Sequence, residues 1–111
     1  MNVPPVNPNS KDQDIRLLEA ARSGELSRVQ SLLREGSDVQ VADGDGVTPL
    51  IFAAMSGHIE IVSELLAAGA NRQHSDGMGY DAFRAAMLFG DFRGTTQPPY
   101  DEIVRLLAPQ V

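Results

Sequence analysis

The chain contains no cysteine, which excludes disulfides, thiolate metal sites and cysteine nucleophiles and leaves the redox compartment open. Positive charge is also scarce. Nine Lys and Arg face 15 Asp and Glu, giving a formal net charge of −6, and no basic cluster is longer than a pair of residues. Binding to nucleic acid requires Lys and Arg to replace counterions along the phosphates, and an anionic membrane surface attracts polybasic segments, so neither partner is expected. No segment approaches the roughly 18 apolar residues of a membrane span, and Met1 to Ser10 has neither the basic n-region nor the apolar core of an export signal. The expected compartment is the cytoplasm.

Signatures of chemistry are missing as well. The sequence has no Gly-x-Ser-x-Gly elbow, no phosphate loop and no His-Glu-x-x-His pattern. Asp43-Gly44-Asp45-Gly46 opens like a calcium loop, but Val47 and Thr48 break the ligand spacing and no glutamate closes it; the dihedrals of a tight hairpin explain these residues better. His58 and His74 stand too far apart in sequence to suggest a metal pair, and His74 is expected at the surface. Asp101 and Glu102 suit the start of a final helix, where they meet the positive end of its dipole. No catalytic activity, cofactor or metal is therefore expected.

What the chain does have is an ordinary globular balance, 42% apolar and 22% charged residues over 111 positions, enough for one folded domain. It also repeats itself. Gly24, Gly57 and Gly90 fall at equal intervals, and a period of about 33 residues lies in the range of stacked repeat architectures. At the same offset Ala20 and Ala21 recur as Ala53 and Ala54, Val29 as Val62, Leu32 and Leu33 as Leu65 and Leu66, and Gly36 as Gly69. Asp43-Gly44-Asp45-Gly46 returns as Asp76-Gly77-Met78-Gly79. In the third unit Ile103, Leu106 and Leu107 match Val62, Leu65 and Leu66 only at a longer offset. The excess corresponds to an insertion, best placed at Arg93 to Tyr100. Its composition, Arg-Gly-Thr-Thr-Gln-Pro-Pro-Tyr, is that of a loop.

Each unit reads as a short helix, a turn at the repeated glycine, and a longer helix returning antiparallel. In the second unit Thr48 caps a helix that opens on Pro49, where the missing N–H costs nothing. Ile61, Val62, Leu65 and Leu66 then mark a buried stripe, and Gly69 supplies a left-handed cap. The fold class is all-α, with short β-hairpin-like turns between units. The expected segmentation is a flexible tail at 1–11, a repeat domain at 12–108 and a tail at 109–111; the units lie at about 12–42, 43–75 and 76–108, with the insertion at 93–100.

The run Gly46-Val47-Thr48-Pro49-Leu50-Ile51-Phe52-Ala53-Ala54-Met55-Ser56-Gly57-His58 resembles the ankyrin pattern G-x-T-P-L-H-x-A-A-x-x-G-H, and Leu65-Leu66-Ala67-Ala68-Gly69-Ala70 resembles its L-L-x-x-G-A. The first unit is similar to an amino-terminal cap and the third to a carboxy-terminal cap, so the resemblance implies a complete three-repeat solenoid, about the minimum at which neighbours bury one another. Two departures stand out. Ile51 replaces the family's histidine, so support there must come from apolar packing. Gln40 and Gln73 stand where many members carry asparagine, which argues against asparagine-directed modification.

The resemblance implies a protein partner, met by the hairpin tips and the exposed face of the first helices. Carried over residue by residue, those positions are Arg22 and Ser23, then Asp45, Val47, Met55 and Ser56, then Met78, Tyr80, Leu88 and Phe89. Their large apolar members suggest a binding patch in the carboxy-terminal half, rimmed by Asp43, Asp45 and Asp76. Leu88 and Phe89 either belong to that patch or fold under the inserted loop as cap core. Pro98, Pro99 and Tyr100 either form a second contact or serve only the loop, with Tyr100 packed on the last helix. The implied role is that of a small adaptor, inhibitor or regulatory subunit, a monomer when unbound; the alternative is an accessory protein that stabilises an enzyme or a larger assembly.

Overall fold

A computed structural model describes residues 10–92, 95–96 and 98–108. It contains six helices: α1 Ser10–Ser23, α2 Leu26–Arg34, α3 Pro49–Ser56, α4 Ile59–Ala67, α5 Ala82–Gly90 and α6 Tyr100–Leu107. They pair as α1/α2, α3/α4 and α5/α6, with α1, α3 and α5 stacked in one layer and α2, α4 and α6 in the other. This is the expected helical solenoid. Helix α1 begins inside the segment expected as tail; residues 1–9 and 109–111 lie outside those described.

Small residues let the first layer close. Ala20, Ala21, Ala53, Ala54, Ala85 and Ala86 are buried where α1, α3 and α5 meet, while Val29, Ile61, Val62, Leu65 and Ile103 fill the space between layers. At a handful of kcal/mol per large side chain, this interlayer packing is the main source of stability. Ile51, 1% exposed, is among the most deeply buried residues, so apolar packing does replace the family's histidine.

The local signals act as the residue types predict. Thr48, 3% exposed, is the N-cap of α3, its Oγ1 accepting from Ile51 N at 3.3 Å. At the end of α4, Gly69 takes φ +94° while its N–H and that of Ala70 donate to the Leu66 and Leu65 carbonyls. That satisfies two carbonyls the helix would otherwise leave open.

The insertion differs from the expectation of a plain loop. Asp91–Phe92 (β1) and Thr95–Thr96 (β2) form a short antiparallel ladder, and Tyr100 is the first residue of α6 rather than part of a connection. Residues 93, 94 and 97 lie outside those described. Among the described residues no helix is long and apolar enough to cross a membrane.

Candidate protein-binding surface

Two hairpins and two helix ends frame the candidate site, and the hairpins are copies of one device. Asp43 Oδ1 accepts from the amides of Asp45 and Val47, both at 2.9 Å. One repeat later, Asp76 Oδ1 accepts from Met78 and Tyr80 at the same 2.9 Å. In each turn the aspartate's own amide also donates to the carbonyl at the far side of the bend, Val47 in the first and Tyr80 in the second. The Asp-Gly pairs are thus turn chemistry, the carboxylate oxygen serving as a fixed acceptor for the chain that bends around it. Gly77 N donates to Asp45 O at 2.8 Å and joins the two turns. His74 adds a further tie: it is half-buried rather than at the surface, and its Nε2 donates to Gly46 O at 2.9 Å.

Between these turns and the ends of α3 and α5 runs an open groove of about 1050 Å³. It is lined by Asp45, Val47, Met55, Met78, Tyr80, Leu88 and Phe89, together with Ser75, Asp76 and the turn glycines 44, 46 and 77. Leu88 and Phe89 are 54% and 55% exposed and Met78 is 82% exposed. The two α5 residues therefore do not fold under as cap core. Met55 and Tyr80 are half-buried, whereas Val47, 9% exposed, belongs to the core as well as to the groove.

Not every contact position taken from the repeat pattern meets this groove. Arg22 is exposed at the end of α1, its guanidinium 5.8 Å from the centre of the Phe52 ring, a cation–π arrangement. It lines a separate depression of about 180 Å³ with Ile15, Leu18, Glu19, Asp43 and Phe52. Asp43 thus sits away from the groove rim. Ser23 is exposed and Ser56 half-buried, and neither lines either hollow. Phe52 carries no motif of its own; the signal that could have found it is its register with Glu19, an exposed position of α1 one repeat earlier.

The residues of the insertion divide. Pro98 and Pro99 are exposed, but Tyr100 turns inward and its hydroxyl donates to the Met55 carbonyl at 2.9 Å. Its ring lies against Gly57, whose φ is +78° and where a Cβ would come within 3.1 Å of it; a Cβ on Gly90 would stand 2.3 Å from the Tyr100 Cβ. Glycine at both places makes room for this one side chain. Tyr100 is therefore an anchor that fastens α6 behind the groove residue Met55.

A corresponding bond joins the first two repeats. His58 Nε2 donates to the Arg22 carbonyl at 3.1 Å, its ring over Gly24. Arg22 and Met55 are equivalent positions of successive repeats, as are His58 and Asp91. An aspartate in the histidine's place has no proton to donate when ionised, and Tyr100 supplies the bond instead.

Compared with known families, the chain matches the model described as ankyrin repeats (3 copies) over residues 17–110. No curated protein matches the chain.

Proposed function

Because the chain belongs to the ankyrin-repeat family, we propose that it is a non-catalytic cytoplasmic adaptor, inhibitor or regulatory subunit that holds one protein partner in the groove between the second and third repeats. Ankyrin repeats are generally protein-interaction modules. The observation that carries the reading here is the groove itself, a continuous hollow of about 1050 Å³ whose walls leave Met78, Leu88 and Phe89 largely exposed. Large apolar side chains grouped in a hollow at the surface mark sites that another molecule covers. Joined hairpins hold these walls in place before binding, which lowers the ordering cost of association. A standard interface buries about 800 Å² per partner, a scale suited to a face of this size. Pro98 and Pro99 lie exposed at the end of the insertion and offer a second contact. The unbound protein is a monomer in this reading.

Co-purification tests it. The tagged full chain is expected to retain one stoichiometric partner identifiable by mass spectrometry, and the double variant Leu88→Lys/Phe89→Lys, with an unchanged circular dichroism spectrum, is expected to lose it. A folded double variant that keeps the partner would move the site elsewhere.

A further inference from the structure

The groove's charge says what kind of partner segment it takes. Its lining contains two carboxylates, Asp45 and Asp76, and no Lys or Arg. They differ in what they already do. One oxygen of Asp76 accepts the Met78 and Tyr80 amides, so that charge is fixed in position and partly used by its own turn. Asp45 is exposed, and among the described residues no hydrogen bond or ion pair involves its carboxylate. Nor does the turn need it, because the equivalent place in the next hairpin, one repeat on, is filled by Met78. An aspartate that the fold does not require thus stands at the open rim of an apolar hollow, in a chain of net charge −6.

We infer that the groove recognises a partner segment in which an aromatic or long aliphatic anchor is flanked by Lys or Arg, the anchor seated among Met55, Tyr80, Leu88 and Phe89 and the cation beside Asp45 and Asp76. This rests on the proposed groove-binding function and adds the chemistry of the occupant. An acidic segment would bring like charges together at the rim, which electrostatic complementarity disfavours, whereas a basic one gains in both encounter rate and register. The apolar anchor provides most of the affinity, because exposed charge pairs contribute little each.

The test uses the full chain as bait for a display library of random dodecapeptides, with the selected sequences then synthesised and their affinity measured by fluorescence anisotropy. Enriched sequences are expected to place Lys or Arg beside an apolar anchor. Phe89→Ala should weaken them by about tenfold or more, and Asp45→Lys by on the order of tenfold, with the Glu-for-Lys versions of the same peptides now preferred. Raising salt from about 50 to about 500 mM should weaken binding severalfold. Circular dichroism of each variant establishes that it is folded. Peptides that depend on Phe89 but show no excess of basic residues, or that ignore Asp45→Lys, overturn the inferred chemistry while leaving the groove as the binding site. Peptides indifferent to the Leu88→Lys/Phe89→Lys variant overturn both, and a selection that enriches nothing overturns the inference.

Discussion

Tyr100 shows how one side chain closes a repeat array. Its hydroxyl bonds the Met55 carbonyl and its ring occupies the space left by Gly57 and Gly90. Removing the hydroxyl alone, in Tyr100→Phe, should cost about 0.5–1.5 kcal/mol, read as a fall in Tm of about 4–8 °C per kcal/mol for a domain of this size. An unchanged Tm would mean that water satisfies the Met55 carbonyl equally well. Gly90→Ala sets two effects against each other. Alanine is the better helix former, by up to about 1 kcal/mol in a helix interior and less at this last position of α5, yet its Cβ would stand 2.3 Å from the Tyr100 Cβ, a clash between side-chain roots that no rotamer relieves. Overpacking of this kind costs about 1–3 kcal/mol, so the variant should be destabilised in urea denaturation despite its higher helix propensity. Neither role of Tyr100 was legible from its own neighbourhood, where Pro98 and Pro99 suggest a loop. A hint was available at Asp91, the place where the repeat would put a further histidine: a missing donor implies a substitute. Gln40 is a similar case. Its side chain donates to Gly69 O at 3.0 Å and accepts from Asn71 N at 3.1 Å, bridging successive loops, but a glutamine between two valines of a connecting segment gives no sign of which backbone groups it will meet.

At the scale of elements, the repeats use different residues for the same work. Helix α3 is capped by Thr48, and at the equivalent place one repeat on Asp81 accepts the Arg84 amide at the start of α5, at 2.8 Å. Thr48→Ala should cost about 1–2 kcal/mol, in the upper part of the range for cap removal, because the site is 3% exposed and the orphaned Ile51 amide is not readily reached by water. Thr48→Ser, which keeps the oxygen, should recover most of it, and the comparison of urea midpoints separates the cap from the lost methyl group. Caps, helix ends and the Asp-Gly turns could be read from the sequence because each depends on residues close together along the chain. The short ladder in the insertion could not, since its strands are too short to show alternation. Exposure of Leu88 and Phe89 was undecidable for a different reason: it depends on what the inserted residues pack against, which no local pattern gives, and in the structure Tyr100 lies against Gly57 and Gly90 while Leu88 and Phe89 stay exposed.

Across the whole molecule the proposed binding face changes character from end to end. Its amino-terminal part presents Glu19 and Arg22 around Phe52, and its carboxy-terminal part presents Met78, Leu88 and Phe89. The apolar part rests on the third repeat, so the proposed binding requires that repeat to be as firmly folded as the others. Nearest-neighbour stacking bears on this point. Among the described residues the three repeats form two interfaces, α1/α2 on α3/α4 and α3/α4 on α5/α6, and each repeat depends on its neighbour to cover apolar surface it cannot bury alone. Loss of the last interface would uncover the surfaces of α3 and α4 that pack on α5 and α6, leaving a pair below the length at which such arrays are stable. Unfolding should therefore be a single transition. The chain carries its own probe for this: it has no tryptophan and only two tyrosines, Tyr80 and Tyr100, both in the third repeat, whereas far-ultraviolet circular dichroism reports the helices of all three repeats. Urea midpoints from tyrosine fluorescence and circular dichroism should coincide. Ile103→Ala, which empties a fully buried position in α6, should cost about 2–5 kcal/mol and, with m of about 1–3 kcal/mol per molar urea, lower both midpoints together by roughly 1 M or more. If the fluorescence midpoint fell while circular dichroism kept most of its amplitude, the third repeat would be unfolding alone and the groove would exist only when the partner orders it.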